Sequence, residues 1–146
     1  MRFDLASSLA LRDLPEPQVR QTLTINSGGV REDVSYEGLE NVTELYNPAA
    51  FPGRVFVRDG RVQMIYLPRD GGLDDLTPAD LESQLDSSYV ELRSRAGKRF
   101  RHRVHPDLGV AYSASGDAIA FVEIFSPRSI QAYQAEIYRE PPPFKR

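Results

Sequence analysis

Alternation of apolar and polar residues runs through much of this chain, and it is clearest where two alternating runs flank a turn. Arg54-Val55-Phe56-Val57-Arg58 and Arg61-Val62-Gln63-Met64-Ile65-Tyr66 lie on either side of Asp59-Gly60, a pair that accepts the positive φ angles of a type I′ turn and so predicts a β-hairpin. In that register Val57 faces Val62 and Val55 faces Met64, giving one apolar face and one mixed face. A second group of runs, Tyr89 to Arg95, Arg99 to His105, Val110 to Ala114 and Ala118 to Phe125, is separated by Ala96-Gly97-Lys98, Pro106-Asp107-Leu108-Gly109 and Ser115-Gly116-Asp117. This predicts an antiparallel four-strand meander. Its last strand is apolar on both sides, Ile119, Phe121 and Phe125 against Ala120, Val122 and Ile124, which places it centrally beneath a helix.

Helical signals are shorter. Thr77-Pro78-Ala79-Asp80 opens a helix, with Thr77 as N-cap, Pro78 at the first helical position and Asp80 near the positive end of the dipole; Leu76, Leu81 and Leu85 supply its apolar contacts. Ser129 to Tyr138 carries Ile130, Tyr133 and Ile137 on one helical face. Val19 to Ile25 alternates, is rich in β-branched residues and ends at Asn26-Ser27-Gly28-Gly29, so it reads as a strand and a turn. Val30 to Asn47 fits either a short helix through Val34, Tyr36 and Leu39 or an alternating strand through Val42 to Tyr46. The expected fold is α+β: an antiparallel sheet made of a hairpin plus a four-strand meander, with two or three short helices on one side. It forms a single domain over 1–140, followed by a proline-rich tail over 141–146.

Composition narrows the function classes. A chain of 146 residues, 40% hydrophobic and 27% charged, can bury a core of ordinary size. A formal charge of -3 is unlike a general nucleic-acid coat, although a local basic patch can bind against an acidic background. The lack of cysteine removes disulfides, thiolate metal sites and Cys nucleophiles. The N-terminal apolar patch ends early, at Arg12, and no window approaches the roughly 18 apolar residues of a membrane span. A cytoplasmic protein with no membrane partner is expected.

Two hairpins echo each other. Gly53 and Gly60 bracket Arg-Val-Phe-Val-Arg-Asp, Gly109 and Gly116 bracket Val-Ala-Tyr-Ser-Ala-Ser, and both end on an aromatic, one residue and Pro-Arg (Tyr66 to Arg69; Phe125 to Arg128). This fits a duplicated unit or simply the glycines that any two hairpins share. The order of the Thr77-Pro78-Ala79-Asp80-Leu81 helix, the meander, Leu108-Gly109-Val110-Ala111-Tyr112-Ser113 and Phe121-Val122-Glu123-Ile124-Phe125 resembles small bacterial helix-then-sheet domains of β-lactamase-inhibitor-like and outer-membrane-assembly-lipoprotein-like proteins. The resemblance covers the C-terminal half, without the lipoproteins' secretion signal or lipid-bearing cysteine. It implies a non-catalytic protein-binding role and identifies no site residue.

Charge supplies the sharpest functional signal. From Asp70 to Glu91 there are seven acidic side chains and no basic one; from Arg93 to His105 there are six Lys/Arg, two His and no acidic one. On strands, Arg93, Arg95, Arg99, Arg101 and Arg103 would share the face opposite Leu92 and Phe100, with His105 at an exposed corner before Pro106. Guanidinium groups crowded on one face repel unless anions approach. They could pair internally with Asp74, Asp75, Asp80, Glu82 or Asp86, bind an acidic protein, or bind nucleic acid. With Phe100 directed inward the last reading lacks a stacking surface. The tail Pro141-Pro142-Pro143-Phe144 could also dock on a partner or on a second copy, as a homodimer.

Catalytic signals are sparse. His102 and His105, three apart on a strand, face opposite sides and cannot converge on one metal; His102 is expected half-buried with a hydrogen bond. Glu123, between Phe121 and Phe125, would need a cationic partner or a raised pKa. With His102 and Tyr112 it could form an acid-base pocket; the plainer reading is a strand-end carboxylate that reaches solvent or an Arg. There is no nucleophile elbow, P-loop, dinucleotide fingerprint or HExxH motif, and no cofactor is called for. The best reading is a protein-interaction module of inhibitor, immunity or accessory type. The alternatives are a nucleic-acid-binding accessory protein and, third, a small enzyme centred on Glu123.

Overall fold

A computed structural model of the protein describes residues 3–142. Its strands are Val30–Tyr36 (β1), Leu39–Leu45 (β2), Arg54–Arg58 (β3), Arg61–Pro68 (β4), Val90–Arg93 (β5), Arg101–His105 (β6), Val110–Ser115 (β7) and Ala118–Ile124 (β8). The helices are Leu5–Arg12 (α1), Glu16–Thr22 (α2), Pro78–Gln84 (α3) and Ile130–Glu136 (α4). All eight strands join one antiparallel sheet in the order β1-β2-β3-β4-β8-β7-β6-β5. Two four-strand meanders therefore meet along their last strands, through Ile65↔Ile124, Tyr66↔Glu123, Leu67↔Val122 and Pro68↔Phe121. That seam puts Glu123 at the centre of the sheet.

The α+β class, the Asp59-Gly60 hairpin and the four-strand meander are as the sequence leads one to expect. Asp59 and Gly60 both have positive φ, 54° and 78°, as a type I′ turn requires. The ambiguous 30–47 stretch is a hairpin, β1 and β2. Thr77 caps α3 in a reciprocal capping box with Asp80, which satisfies two of the helix's orphan donors. Ser129 Oγ caps α4 by accepting from Ala132 N.

Three expectations need correction. Val19 to Ile25 is not a strand: Pro15 precedes α2 and Pro17 lies in its first turn, and Val19 and Leu23, one helical turn apart, are both buried. The alternation there also fits an i, i+4 pair, and the proline-led start decides for helix. Val55 pairs with Ile65, not Met64, because a bulge between Phe56 and Val57 shifts the register. A second bulge, where Ser113↔Phe121 is followed by Ala114↔Ile119, takes Ile119 away from the face of Phe121 and Phe125.

The helices also lie on both faces of the sheet. Leu5, Leu11, Val19, Leu23, Leu81 and Leu85 pack with Val55, Val57, Ile65, Val122 and Ile124 in one core. Tyr133 and Ile137 pack with Tyr36, Phe56, Met64, Val104, Ala111 and Phe125 in the other. The sheet is thus covered by α1 to α3 on one side and by α4 on the other. Arg12 adds a polar tie, donating to the carbonyls of Leu108 and Phe125 at 2.8 and 3.0 Å.

The hairpin echo has a structural counterpart. A Cβ on Gly53 would lie 2.5 Å from the Tyr66 carbonyl oxygen, and one on Gly109 would lie 1.9 Å from that of Phe125. Gly29 stands in the same relation to Tyr46, at 2.3 Å, and Tyr46-Asn47-Pro48 repeats the aromatic-x-Pro ending. Three hairpin mouths thus close by the same device, a glycine against the main chain of an aromatic. A local closure rule accounts for the echo without invoking duplication. Of the tail, Pro141 and Pro142 are described and Pro143 to Arg146 lie outside the described residues.

Candidate functional site

The central polar group is Glu123, 1% exposed on β8. Alternation places it between Phe121 and Phe125 as expected, and its two oxygens are fully engaged. Oε2 accepts from Tyr36 Oη at 2.5 Å and Arg95 Nη1 at 3.2 Å; Oε1 accepts from Tyr133 Oη at 2.6 Å. Arg95 also donates from Nη2 to Tyr36 Oη at 2.6 Å and pairs through Nε with Glu37 at 2.9 Å. Its guanidinium stacks 4.1 Å over the Phe121 ring. Burial by itself would raise the Glu123 pKa. The hydrogen bond and charge of His102, the charge of Arg95 and the bond from Tyr133 outweigh it and hold the carboxyl at about 2.

His102 is more deeply buried than expected, at 2% exposure. Its Nε2 lies 2.8 Å from Tyr133 Oη and its Nδ1 2.8 Å from Ser113 Oγ. Tyr133 gives its one hydroxyl hydrogen to Glu123, so His102 Nε2 is assigned as the donor to Tyr133. Ser113 Oγ in turn meets Ser94 Oγ at 2.7 Å, and Ser94 Oγ accepts from Ala96 N.

Tyr112 does not join this network. It opposes Val122 across β7 and β8 and so points to the other face, where its hydroxyl donates to Glu82 on α3. His105 is also there, fully buried instead of at an exposed corner. Its Nε2 meets Glu82 Oε2 and its Nδ1 meets Ser87 Oγ, each at 2.8 Å. The acid-base trio of Glu123, His102 and Tyr112 is therefore split by the sheet. The two histidines do face opposite sides, and each helps fasten a helix: His105 with Tyr112 holds α3 through Glu82, and His102 with Glu123 holds α4 through Tyr133.

The five arginines are also divided. Arg95, past the end of β5, turns into the Glu123 network. Arg103 donates to Tyr112 Oη at 3.3 Å and lies 5.1 Å over the Tyr89 ring. Arg93 engages the C-terminal segment, donating to the Pro142 carbonyl at 2.9 Å and lying 3.6 Å from Glu140. Arg99 and Arg101 are exposed, and among the described residues neither has a carboxylate within ion-pair distance. Arg101 donates only to the carbonyls of Lys98 and Phe100. Among the acidic side chains from Asp70 to Glu91, it is Glu82 that meets the basic segment, at His105.

What remains of the basic face is the turn Lys98-Arg99-Phe100-Arg101. Phe100 is half-buried and belongs to neither core; it lines an open groove of about 390 Å³ with Leu92, Lys98 and Arg101. The inward Phe100 expected from alternation is thus corrected, because residues 96–100 form a turn where the strand period does not hold. By contrast, the hollow beside Glu123 and Arg95 measures about 10 Å³, room for one water at most. Among the described residues no group of His, Asp and Glu could hold a metal ion, and no helix is long and apolar enough to cross a membrane.

Sequence reasoning missed the two phenols, Tyr36 and Tyr133, and Glu37. A signal for Tyr133 existed: it shares the inner face of α4 with Ile137, and a buried phenol needs a hydrogen-bond partner. Comparison of the chain with protein-family models, with curated proteins and with solved structures finds no match.

Proposed function

We propose that this chain is a protein-interaction module of the inhibitor, immunity or accessory type, binding an acidic partner through Lys98, Arg99, Phe100 and Arg101. One observation carries the reading. Arg95 and Arg103 are held by partners within the fold, whereas Arg99 and Arg101 face outward with no carboxylate among the described residues. Neighbouring cations of this kind are relieved only by an incoming anion or by solvent. The resemblance of the C-terminal half to β-lactamase-inhibitor-like domains belongs to the same proposal, as does a cytoplasmic setting. Glu123 serves the fold on this reading, since its oxygens are occupied and the adjoining hollow admits no substrate.

A second reading has one observation of its own. Phe100, half-exposed between Lys98 and Arg101, offers a ring on which an unpaired base could stack beside two cations. One experiment separates the two. The tagged protein is used to capture partners from its native lysate, with and without nuclease, beside a variant carrying Arg99→Ala and Arg101→Ala. A protein that survives nuclease and is lost with the variant supports the interaction module. Nucleic acid recovered only without nuclease supports the second reading, and its retention should fall steeply as salt rises. Equal recovery by both forms overturns the role of the arginines.

A further inference from the structure

We infer that the outer edge of β5 accepts an acidic, extended segment of the partner as an added strand. The inference rests on the interaction-module reading and specifies how its partner is held.

The two edges of the sheet are built differently. At β1 the pairing with β2 is broken by register shifts between Arg31 and Val34 and again between Val34 and Tyr36. Asp33 there has a φ of 55°, and Arg31, Glu32 and Asp33 are all exposed. Bulges and charges of this kind prevent another strand from pairing. At β5 the register runs unbroken from Val90↔Val104 to Arg93↔Arg101, so its outer edge is regular. Tyr89 and Val90 lie beside it at 42% and 38% exposure, the large apolar side chains that stand out furthest among the described residues. Over Tyr89 to Leu92 the main chain makes no hydrogen bond outside its pairing with β6, among the described residues. A regular edge with apolar flanks is the form used in recognition by strand addition.

Charge selects the occupant. The groove at the β5 end is lined by Leu92 and Phe100 with Lys98 and Arg101, and Arg99 stands exposed in the same turn. Glu91 is the one acid in that lining. A strand laid on Tyr89 to Leu92 and continuing towards the turn would bring its acidic residues against Lys98, Arg99 and Arg101. Its main-chain pairing stops short of Arg93, whose carbonyl accepts from Tyr138 Oη and whose side chain holds Pro142, and beyond that point it reaches the turn through side chains alone. The protein's own C-terminal segment therefore marks one end of the site.

The test uses a short synthetic peptide of alternating valine and threonine that ends in three acidic residues, read by fluorescence anisotropy and amide hydrogen exchange on the full chain. Two twins accompany it: one N-methylated at alternate amides, which keeps the charge and removes main-chain donors, and one with the acids replaced by amides. The parent peptide should bind and slow exchange at Tyr89 to Leu92. Each twin should bind about tenfold more weakly or worse, since either two or three hydrogen bonds or the charge contacts are gone. If the N-methylated twin binds within a factor of two of the parent, strand addition is wrong while the acidic-partner reading stands. If the parent shows no binding at millimolar concentration, or protects other amides instead, the β5 site is overturned. The lysate capture judges the interaction module independently of all these outcomes.

Discussion

The hydroxyl of Tyr133 lies 2.6 Å from Oε1 of Glu123, and through that contact a helix on one face is bolted to the strand at the centre of the sheet. Tyr133 and Glu123 are both 1% exposed, so neither can turn to water if the other is removed. Tyr133→Phe removes the hydroxyl that bridges Glu123 Oε1 and His102 Nε2 and leaves those two atoms facing each other directly at 3.4 Å. It should lower unfolding free energy by about 1–3 kcal/mol, measured by urea denaturation at neutral pH. A loss below a few tenths would show that α4 is held by its apolar face alone.

The Glu123 carboxyl sits near 2 in the folded chain against an ordinary value of 4.5. A depressed folded pKa contributes stability above the unfolded value, and that stability is lost as pH falls through the folded one. Unfolding free energy should therefore drop between about pH 5 and pH 2, by an amount on the order of 3 kcal/mol for this group. Glu123→Gln should be less stable at pH 7 and should show a flatter acid limb. Parallel acid limbs in the two proteins would mean that the carboxylate is not the group responsible.

The phenols predict the opposite limb. Burial and the charge of Glu123 push Tyr36 and Tyr133 well above their ordinary value of 10.0, and burial with the bond to Glu82 does the same for Tyr112. A raised folded pKa means that stability is complete below the unfolded value and is lost as pH rises through the folded one. Tyrosine ionisation, followed by absorbance, should be incomplete in the folded chain at pH 11. The remaining phenols should ionise together with unfolding as followed by circular dichroism. Full ionisation with the fold intact would contradict the burial of these three rings.

How much of this was written in the sequence depends on where alternation holds. The hairpin at Asp59-Gly60, the meander and the place of Glu123 between two phenylalanines all follow from period two within uninterrupted strands. Arg95 and Phe100 depart from the expected faces because both lie in the connection between β5 and β6, where a strand period says nothing about direction. Tyr112 lies away from Glu123 because faces on neighbouring strands depend on register, and the register of β7 against β8 is set by a bulge invisible in the residue pattern. Val19 and Leu23 satisfied both periods, and the helical start at Pro15 and Pro17 was the arbiter. The candidate surface survives as a smaller object than the charge run suggested, because three of its arginines are occupied.

Glycine substitutions test the hairpin closures. Gly109 has a φ of 72° and a Cβ there would lie 1.9 Å from the Phe125 carbonyl oxygen, whereas Gly60 has a φ of 78° and nothing within 4 Å. Gly60→Ala should cost only the left-handed backbone penalty, about 1–2 kcal/mol. Gly109→Ala adds a clash with main chain that cannot rotate away, and should be the more destabilising by at least about 2 kcal/mol. Equal melting temperatures for the two variants would remove the close approach of β7 and the end of β8 from the account.

The division of the arginines gives a last prediction, and it separates fold from surface. Arg95→Ala removes a cation whose side chain is 31% exposed from a carboxylate that is 1% exposed and keeps Tyr36 and Tyr133, a loss of charge-assisted hydrogen bonding that costs about 1–3 kcal/mol. Arg101→Ala removes two hydrogen bonds from an exposed side chain to neighbouring carbonyls, and Arg99→Ala removes an exposed cation, so each should change stability by less than about 0.5 kcal/mol. Repulsion within the turn makes a small gain in stability the favoured direction for the pair of substitutions, and added salt should erase that gain by screening. Thermal unfolding of the three variants at low and high salt is sufficient. If Arg99→Ala and Arg101→Ala destabilise as much as Arg95→Ala, the basic turn belongs to the fold and cannot be a surface kept for a partner.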